Sequence, residues 1–151
     1  MTRIAALILS AILAAPALGQ DAEAAQQPDR IIRDATEATP EELLWIARPI
    51  VVFADSPNDP RFLQQMALIE ERLDALAERD VVVIADSDPA ARSAFRQKLR
   101  PRGFMLVVLA KDGSVILRKP APWDVREISR SIDKQPLRQQ EIRDGHGAGR
   151  P

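Results

Sequence analysis

One short stretch constrains the fold more than any other part of the chain. The run from Ile50 to Ala54 is apolar, β-branched and continuous rather than alternating, which is typical of a strand buried on both faces of a sheet. Two prolines and several turn-forming residues keep the next segment, residues 55–60, from extending that strand. Asp59 and Pro60 suit a helix N-cap and first helical position. The stretch therefore predicts a central strand, a polar loop and a helix.

The rest of the chain repeats this alternation of apolar runs and helix starts. Further strands are predicted over residues 80–85, 104–110 and 115–119, and helices over residues 41–47, 60–78, 89–99 and 123–133. Because a helix joins the first two strands, they are expected to be parallel with a right-handed crossover. The turn at Asp112 and Gly113 is too short for a parallel connection, so the last two strands should be antiparallel.

A βαβ unit followed by a ββα unit is the core of the thioredoxin fold. We therefore predict an α/β domain with a thioredoxin-like, mixed four-stranded sheet in the strand order 2-1-3-4, flanked by helices. The alternative is an all-parallel, flavodoxin-like sheet, against which the short Asp-Gly turn argues. Before the first strand, Thr39 and Glu42 have the spacing of a capping box, and Trp45 is expected to pack over one edge of the sheet.

The first residues have the composition of a secretory signal peptide. Arg3 precedes an apolar run that starts at Ile4, and Ala17 and Gly19 place small residues at the −3 and −1 positions of a cleavage site. The alternative is an uncleaved membrane anchor, for which the run is too short, since a bilayer span needs about 20 apolar residues. No cysteine follows that could carry a lipid anchor. The chain is therefore expected in the periplasm or outside the cell, with no membrane span after cleavage.

The predicted organisation has four parts. These are a signal peptide over residues 1–19, a flexible leader over 20–38, the thioredoxin-like domain over 39–143 and a disordered tail over 144–151. The leader is rich in Ala, Gln, Asp and Glu, and the tail is rich in glycine. The tail also holds His146, the only histidine, so neither a histidine-based triad nor a zinc site is expected.

Residue content excludes two classes of function. The chain contains no cysteine, and both disulfide exchange and thiol peroxidase chemistry need a thiolate. Laid on a thioredoxin, residues 58–61 would take the place of the Cys-x-x-Cys motif. The 21 Lys and Arg residues are balanced by 22 Asp and Glu residues, so no basic surplus is available to bind nucleic acid.

Three segments of the chain resemble one family. They are Trp45-x-x-Arg48-Pro-Ile-Val-Val-Phe53, the turn Lys111-Asp-Gly113, and Ile132-Asp-Lys-Gln-Pro-Leu-Arg-Gln-Gln-Glu141. Together they are similar to the bacterial "domain of unknown function 4174" family, over residues 43–143. The resemblance implies a thioredoxin-like fold and export, with related domains in vertebrate extracellular matrix proteins that carry sushi repeats. It implies no catalytic residue.

Aspartates follow the first two predicted strands and are the candidate site residues. Asp55 and Asp86 should meet at the carboxyl edge of the sheet, near Asp59, Asp88 and Arg61. Ligands of open α/β sheets bind at that edge, and hard cations prefer oxygen clusters. The structural interpretation is that these aspartates are turn formers and N-caps. No cofactor or metal site is predicted, and no residue is assigned a catalytic role.

Two further features are compatible with partner binding. Arg96, Lys98, Arg100 and Arg102 could form an anion-binding patch, although a solvated helix end is the simpler interpretation. Trp123 is expected to pack where the last predicted helix begins, with a partner contact as the alternative. The sequence thus favours a non-catalytic module that binds a protein or envelope component through residues 55–61 and 86–88. The alternatives are a metal-dependent or acid-base enzyme using the aspartates, and a structural envelope protein.

Overall fold

Five strands form one mixed sheet within residues 30–147, the part of the chain that the computed structural model describes. They are β1 (Ile32–Asp34), β2 (Arg48–Phe53), β3 (Val81–Asp86), β4 (Met105–Leu109) and β5 (Val115–Lys119). In the order β1-β3-β2-β4-β5, the first three strands are parallel, and β4 pairs antiparallel with both β2 and β5. The four predicted strands have the predicted order 2-1-3-4, and the thioredoxin-like α/β class is confirmed.

The additional strand, β1, comes from residues that were expected to be a flexible leader. Ile32 pairs with Val83, and the side chains of Ile31 and Ile32 pack against the core. These two isoleucines hold β1 at the edge of the sheet, where it pairs with β3 alone. The leader prediction is therefore wrong for residues 32–38, whereas residues 20–29 and the predicted signal peptide lie outside the described residues.

Of the five helices, the first four lie within predicted helices but are shorter. They are α1 (Pro60–Glu70), α2 (Leu73–Ala77), α3 (Ala94–Leu99), α4 (Val125–Asp133) and α5 (Pro136–Gly147). The single helix predicted over residues 60–78 is interrupted at Arg72, whose φ of −138° is not helical. Helix α5 continues into residues 144–147 of the predicted tail. No helix within residues 30–147 is long and apolar enough to cross a bilayer.

The segment before β2 combines a confirmed capping box with a wrong helix prediction. Thr39 and Glu42 exchange the expected hydrogen bonds, Thr39 N to Glu42 Oε2 at 2.9 Å and Glu42 N to Thr39 Oγ1 at 3.4 Å. The helix, however, is a single 3₁₀ turn over Glu41–Leu43. Trp45 has a φ of +62°, donates its amide to Lys111 O at 2.7 Å and leaves its side chain 68% exposed. It therefore does not cover the sheet edge.

The sheet separates two apolar layers, because alternate side chains of each strand point to opposite faces. Ile50 and Val52 face the layer that contains α1, α2 and α4, whereas Val51 and Phe53 face the layer that contains α3. In the first layer, Gln65 is fully buried: its Nε2 donates to Trp123 O at 3.1 Å, and Trp123 N donates to its Oε1 at 2.7 Å. This exchange ties α1 to the segment before α4, and Trp123 packs there as expected.

A charged network at the amino end of β2 fastens α5 to the sheet. Its members, here called the Arg48 network, are Arg48, Arg79, Asp80, Lys111, Asp133, Arg138 and Glu141. Arg48 is only 1% exposed and donates to Glu141 Oε1 at 2.9 Å and to Arg79 O at 2.8 Å. Lys111 Nζ reaches Glu141 at 2.9 Å, and Arg79 makes a two-point ion pair with Asp133 at 2.8 and 2.9 Å.

Glu141 is the carboxylate on which this network converges. Partial burial raises its pKa, but hydrogen bonds from Arg48 and Lys111, the charge of Arg48 and a hydrogen bond from Arg138 outweigh that effect and lower the pKa to about 2. A carboxyl pKa that is lower in the folded state stabilises the fold above the unfolded pKa of 4.5. That contribution is lost as the pH falls from about 4.5 towards 2.

We predict that Glu141→Gln lowers the free energy of unfolding at pH 7 by about 3 kcal/mol, because it leaves the buried guanidinium of Arg48 without its carboxylate. Urea denaturation followed by circular dichroism measures the change. The same variant should lose less stability than the unaltered protein between pH 5 and pH 3, since the titrating group has been removed.

Glu127→Gln is the matched control, because Glu127 also pairs with an arginine, Arg130, at 2.6 Å but on the surface. We expect this change to cost less than about 0.5 kcal/mol. Equal losses in the two variants, or an unchanged pH dependence in Glu141→Gln, would contradict the role assigned to Glu141.

Candidate functional site

The parallel pairing of β2 with β3 brings the two predicted aspartate positions to one edge of the sheet. Phe53 is in register with Asp86, and Ala54 N donates to Asp86 O at 2.8 Å. Asp55 follows directly and is exposed. The candidate site is thus the surface formed by residues 55–61, here called the 55–61 loop, together with the end of β3 beneath it.

Asp86 is not available to a ligand, because the protein itself satisfies its carboxylate. The residue is 3% exposed and accepts hydrogen bonds from Ser93 Oγ and from Arg96, the latter at 2.7 Å from Nη2 and 3.0 Å from Nε. Arg96 also donates to Ala54 O at 2.9 Å. This ion pair joins the beginning of α3 to the ends of β2 and β3, so it supports the loop above it.

Arg96 also connects the two aspartates. Its Nη1 lies 3.9 Å from Asp55 Oδ1, and its guanidinium carbon lies 5.4 Å from the centre of the Phe53 ring. The arrangement neutralises much of the negative charge that Asp55 and Asp86 would otherwise place at this edge. Within residues 30–147, no group of three or more His, Cys, Asp or Glu residues could hold a metal ion.

Asp59 and Arg61 form a second charge pair on the exposed side of the loop. Asp59 Oδ1 accepts from Arg61 N at 2.9 Å and from Nε at 3.2 Å, and Oδ2 accepts from Nη2 at 2.9 Å. These hydrogen bonds lower the pKa of Asp59, and the bond to Asp59 raises the pKa of Arg61. The Arg61 guanidinium also lies 5.5 Å from the centre of the Phe104 ring. Asp59 is therefore both the predicted N-cap of α1 and part of a fixed surface feature.

The fifth candidate residue, Asp88, stands apart from the other four. It accepts a hydrogen bond from Ala90 N at 3.0 Å and so caps the 3₁₀ turn Pro89–Ala91. The helix predicted to start at Pro89 breaks at Arg92, which is left-handed, and restarts as α3 with Ser93 as its N-cap. For Asp59 and Asp88, the structure thus shows the capping role that the residue types suggested.

The predicted basic patch is divided among separate partners. Arg96 is committed to Asp86, and Lys98 Nζ lies 3.5 Å from Glu41 Oε1. Arg100 and Arg102 are exposed. Sequence reasoning missed the internal role of Arg96, since Asp86 and Arg96 lie ten positions apart and their contact depends on the bend at Arg92. The cap at Ser93 was the one local signal of that bend.

The 55–61 loop encloses a shallow, open cleft of about 490 Å³. It is lined mostly by residues of polar type, although most of the surface that they turn towards the cleft is apolar: Asp55, Ser56, Asn58, Asp59, Pro60 and Arg61. It contains charged and amide side chains in exposed positions. The only hydroxyl in the loop belongs to Ser56, which accepts a hydrogen bond from Asn58 N at 3.2 Å. Within the described residues this hydroxyl donates no hydrogen bond to a base, so it is not paired as a nucleophile.

Solved structures with a similar fold include a peroxiredoxin and a thioredoxin. A 2-Cys peroxiredoxin of Plasmodium vivax in the reduced state is 13% identical, with a TM-score of 0.53 over 68% of this chain and 83% of its own. A chloroplastic thioredoxin z is 19% identical, with a TM-score of 0.50 over 73% of this chain and all of its own. At these identities the likeness shows the fold alone. No curated protein matches the chain.

The family match covers most of the described residues. It extends over residues 39–141, from the capping box at Thr39 to Glu141 in the Arg48 network. All three segments that carried the sequence resemblance lie within it. The chain therefore belongs to the family described as "Domain of unknown function (DUF4174)".

Proposed function

We propose that the protein is an exported, non-catalytic binding module that recognises a protein or envelope component through the 55–61 loop. One observation carries this proposal. The loop occupies the sheet edge where a thioredoxin-like fold would carry its thiols, and it presents an exposed Arg61, held by the partly buried Asp59, in a chain without cysteine.

The loop is held in a fixed shape, which favours binding by a preformed surface. Beneath it, the Arg96–Asp86 ion pair and the bond from Arg96 to Ala54 O fix the strand ends. At its end, Asp59 caps α1 and Leu63 N donates to Asp59 O at 3.0 Å. Binding of a partner would therefore cost little conformational entropy, because the loop is already ordered.

The surroundings of the loop have the mixed character of a protein–protein contact. Leu63, in the first turn of α1 and two residues after Arg61, is an exposed large apolar side chain. Arg61 can donate to a partner carboxylate while it stays against the Phe104 ring. An apolar contact with an arginine next to it is typical of the centre of such an interface. The partner surface that fits best is one with an exposed carboxylate beside an apolar side chain.

The enzyme alternative has less support from the geometry. A metal or acid-base site would need Asp55 and Asp86 together as free carboxylates, but the ion pair with Arg96 occupies Asp86. The proposal therefore assigns recognition to Asp55, Asp59 and Arg61, and a structural role to Asp86 and Asp88.

We predict that a photoreactive amino acid at Asn58 forms one discrete cross-linked product in cells, detected by mass shift on a denaturing gel. Arg61→Ala should reduce that product at least tenfold, because the guanidinium is lost. The variant should still fold, since the amide at position 61 continues to satisfy the Asp59 cap.

The matched control places the same photoreactive residue at Gln140, an exposed position on α5 at the other end of the sheet. Equal products from both positions, no product from Asn58, or a product that Arg61→Ala leaves unchanged would contradict binding through the loop. Melting temperatures of all variants confirm that folding is intact.

Export is tested separately through the first residues of the chain. We predict that the mature protein isolated from cells begins at Gln20, as measured by intact-mass spectrometry after cell fractionation. Leu9→Arg, which places a charge in the apolar run, should leave the full-length chain inside the cell. A mature mass that still includes residues 1–19, or a processed product that Leu9→Arg does not affect, would refute cleavage after Gly19.

A further inference from the structure

We propose a second binding site, for a phosphate group, in the cleft between α2 and α4. The cleft has a volume of about 270 Å³ and is lined by Arg72, Arg79, Arg126, Ser129, Arg130 and Asp133. Here it is called the arginine cleft. It lies apart from the 55–61 loop, with which it shares no lining residue.

Two of the four arginines in the cleft already have carboxylate partners. Arg79 pairs with Asp133 at 2.8 Å, and Arg130 pairs with Glu127 at 2.6 Å. These pairs hold the two side chains in place and largely cancel their charge. The pair with Arg79 also neutralises Asp133, which would otherwise repel an anion in the cleft.

The other two arginines bring the positive charge that an anion would meet. Within residues 30–147, the guanidinium groups of Arg72 and Arg126 have neither a hydrogen-bond nor an ion-pair partner. Arg72 is at the start of α2 and Arg126 is in the first turn of α4, so the two groups approach the cleft from opposite sides. Two unpaired guanidinium groups can donate to several oxygens of one anion.

An unpartnered buried hydroxyl provides an independent indication of a ligand. Ser129 is only 7% exposed, lines the cleft, and its Oγ has no hydrogen-bond partner in the described part of the chain. Leaving a buried hydroxyl unsatisfied is unfavourable, and in native proteins such groups call for an explanation. The Oγ atom is closed to solvent, so it would donate to a ligand oxygen after a rotation of the side chain towards the cleft.

The size and donors of the cleft fit a small tetrahedral oxyanion such as a phosphate group. The volume is below the 300–1,000 Å³ that is usual for sites of drug-sized ligands, so the cleft fits a small group rather than a polymer. A tetrahedral phosphate presents three or four oxygens to two guanidinium forks and one hydroxyl. The group can belong to free phosphate or to a phosphate monoester, such as a lipid headgroup.

Calorimetric titration of the full mature protein with inorganic phosphate tests this proposal, with sodium chloride at equal ionic strength as the reference. We expect saturable binding that weakens about tenfold in Arg126→Gln and in Arg72→Gln, since each change removes charge-assisted hydrogen bonds. Arg102→Gln, at an exposed arginine outside the cleft, should bind phosphate unchanged.

Ser129→Ala separates ligand binding from a structural role. Because the hydroxyl has no partner, its removal should leave the melting temperature of the unliganded protein unchanged or raised, yet reduce phosphate affinity several-fold. A drop in melting temperature without any change in affinity would overturn the proposal.

Vesicles with phosphatidic acid distinguish the two sources of the phosphate group. Co-sedimentation that is lost in Arg126→Gln indicates a lipid headgroup, and phosphate binding without co-sedimentation indicates a free phosphate; either supports the site. Heat signals no larger than those of chloride, or equal losses in Arg102→Gln and Arg126→Gln, would overturn it. Both results are independent of cross-linking at Asn58, so the two proposals can fail separately.

Discussion

The buried guanidinium of Arg48 is the constraint on which the rest of the structure depends. A charge removed from water must be neutralised where it lies, and Arg48 is neutralised by Glu141 from α5 while it also bonds to Arg79 O. Lys111 and Arg138 then balance the remaining charge of Glu141. The segments that carry the family resemblance meet here, although they are far apart in sequence: Arg48, the Lys111–Gly113 turn, and Asp133, Arg138 and Glu141. The resemblance thus has a physical basis, since it contains the residues that keep one buried charge in place.

The opposite end of the sheet uses the same principle with different partners. There, the Asp86 carboxylate is buried, and Arg96 and Ser93 satisfy it. Each end therefore has an arginine–carboxylate pair that joins a helix to the sheet, α5 at one end and α3 at the other. Because these charges are committed to the fold, both proposed binding sites use groups on the outside, in the 55–61 loop and the arginine cleft. Asp55 and Asp86 therefore differ, although both lie near the ends of strands at this edge: Asp86 is buried in an ion pair, whereas Asp55 is exposed.

Sequence reasoning succeeded where local chemistry decides the structure and failed where contacts between distant segments decide it. The apolar runs, the Asp112–Gly113 turn and the caps at Thr39, Asp59 and Asp88 are local signals, and the structure has each of them. The exposure of Trp45 depends on a backbone bond to Lys111, and the burial of Gln65 depends on Trp123. In the candidate site, the positions of Asp55 and Asp86 could be predicted from strand periodicity. The ion pair that buries Asp86 could not be predicted, because its partner Arg96 lies beyond a break in the predicted helix.

The 55–61 loop shows how a thioredoxin-like fold can keep its electrostatics without its thiols. The N-terminus of a helix presents unpaired amides and a partial positive charge, which in a redox protein favours a thiolate over a thiol. Here the Asp59 carboxylate occupies the N-terminus of α1, and bonds from the Arg61 side chain and amide lower its pKa. The positive end of α1 therefore stabilises the ionised Asp59 carboxylate, which cannot form a disulfide. Such a group is unsuited to electron transfer but well suited to holding Arg61 in one orientation, where a partner carboxylate can reach it.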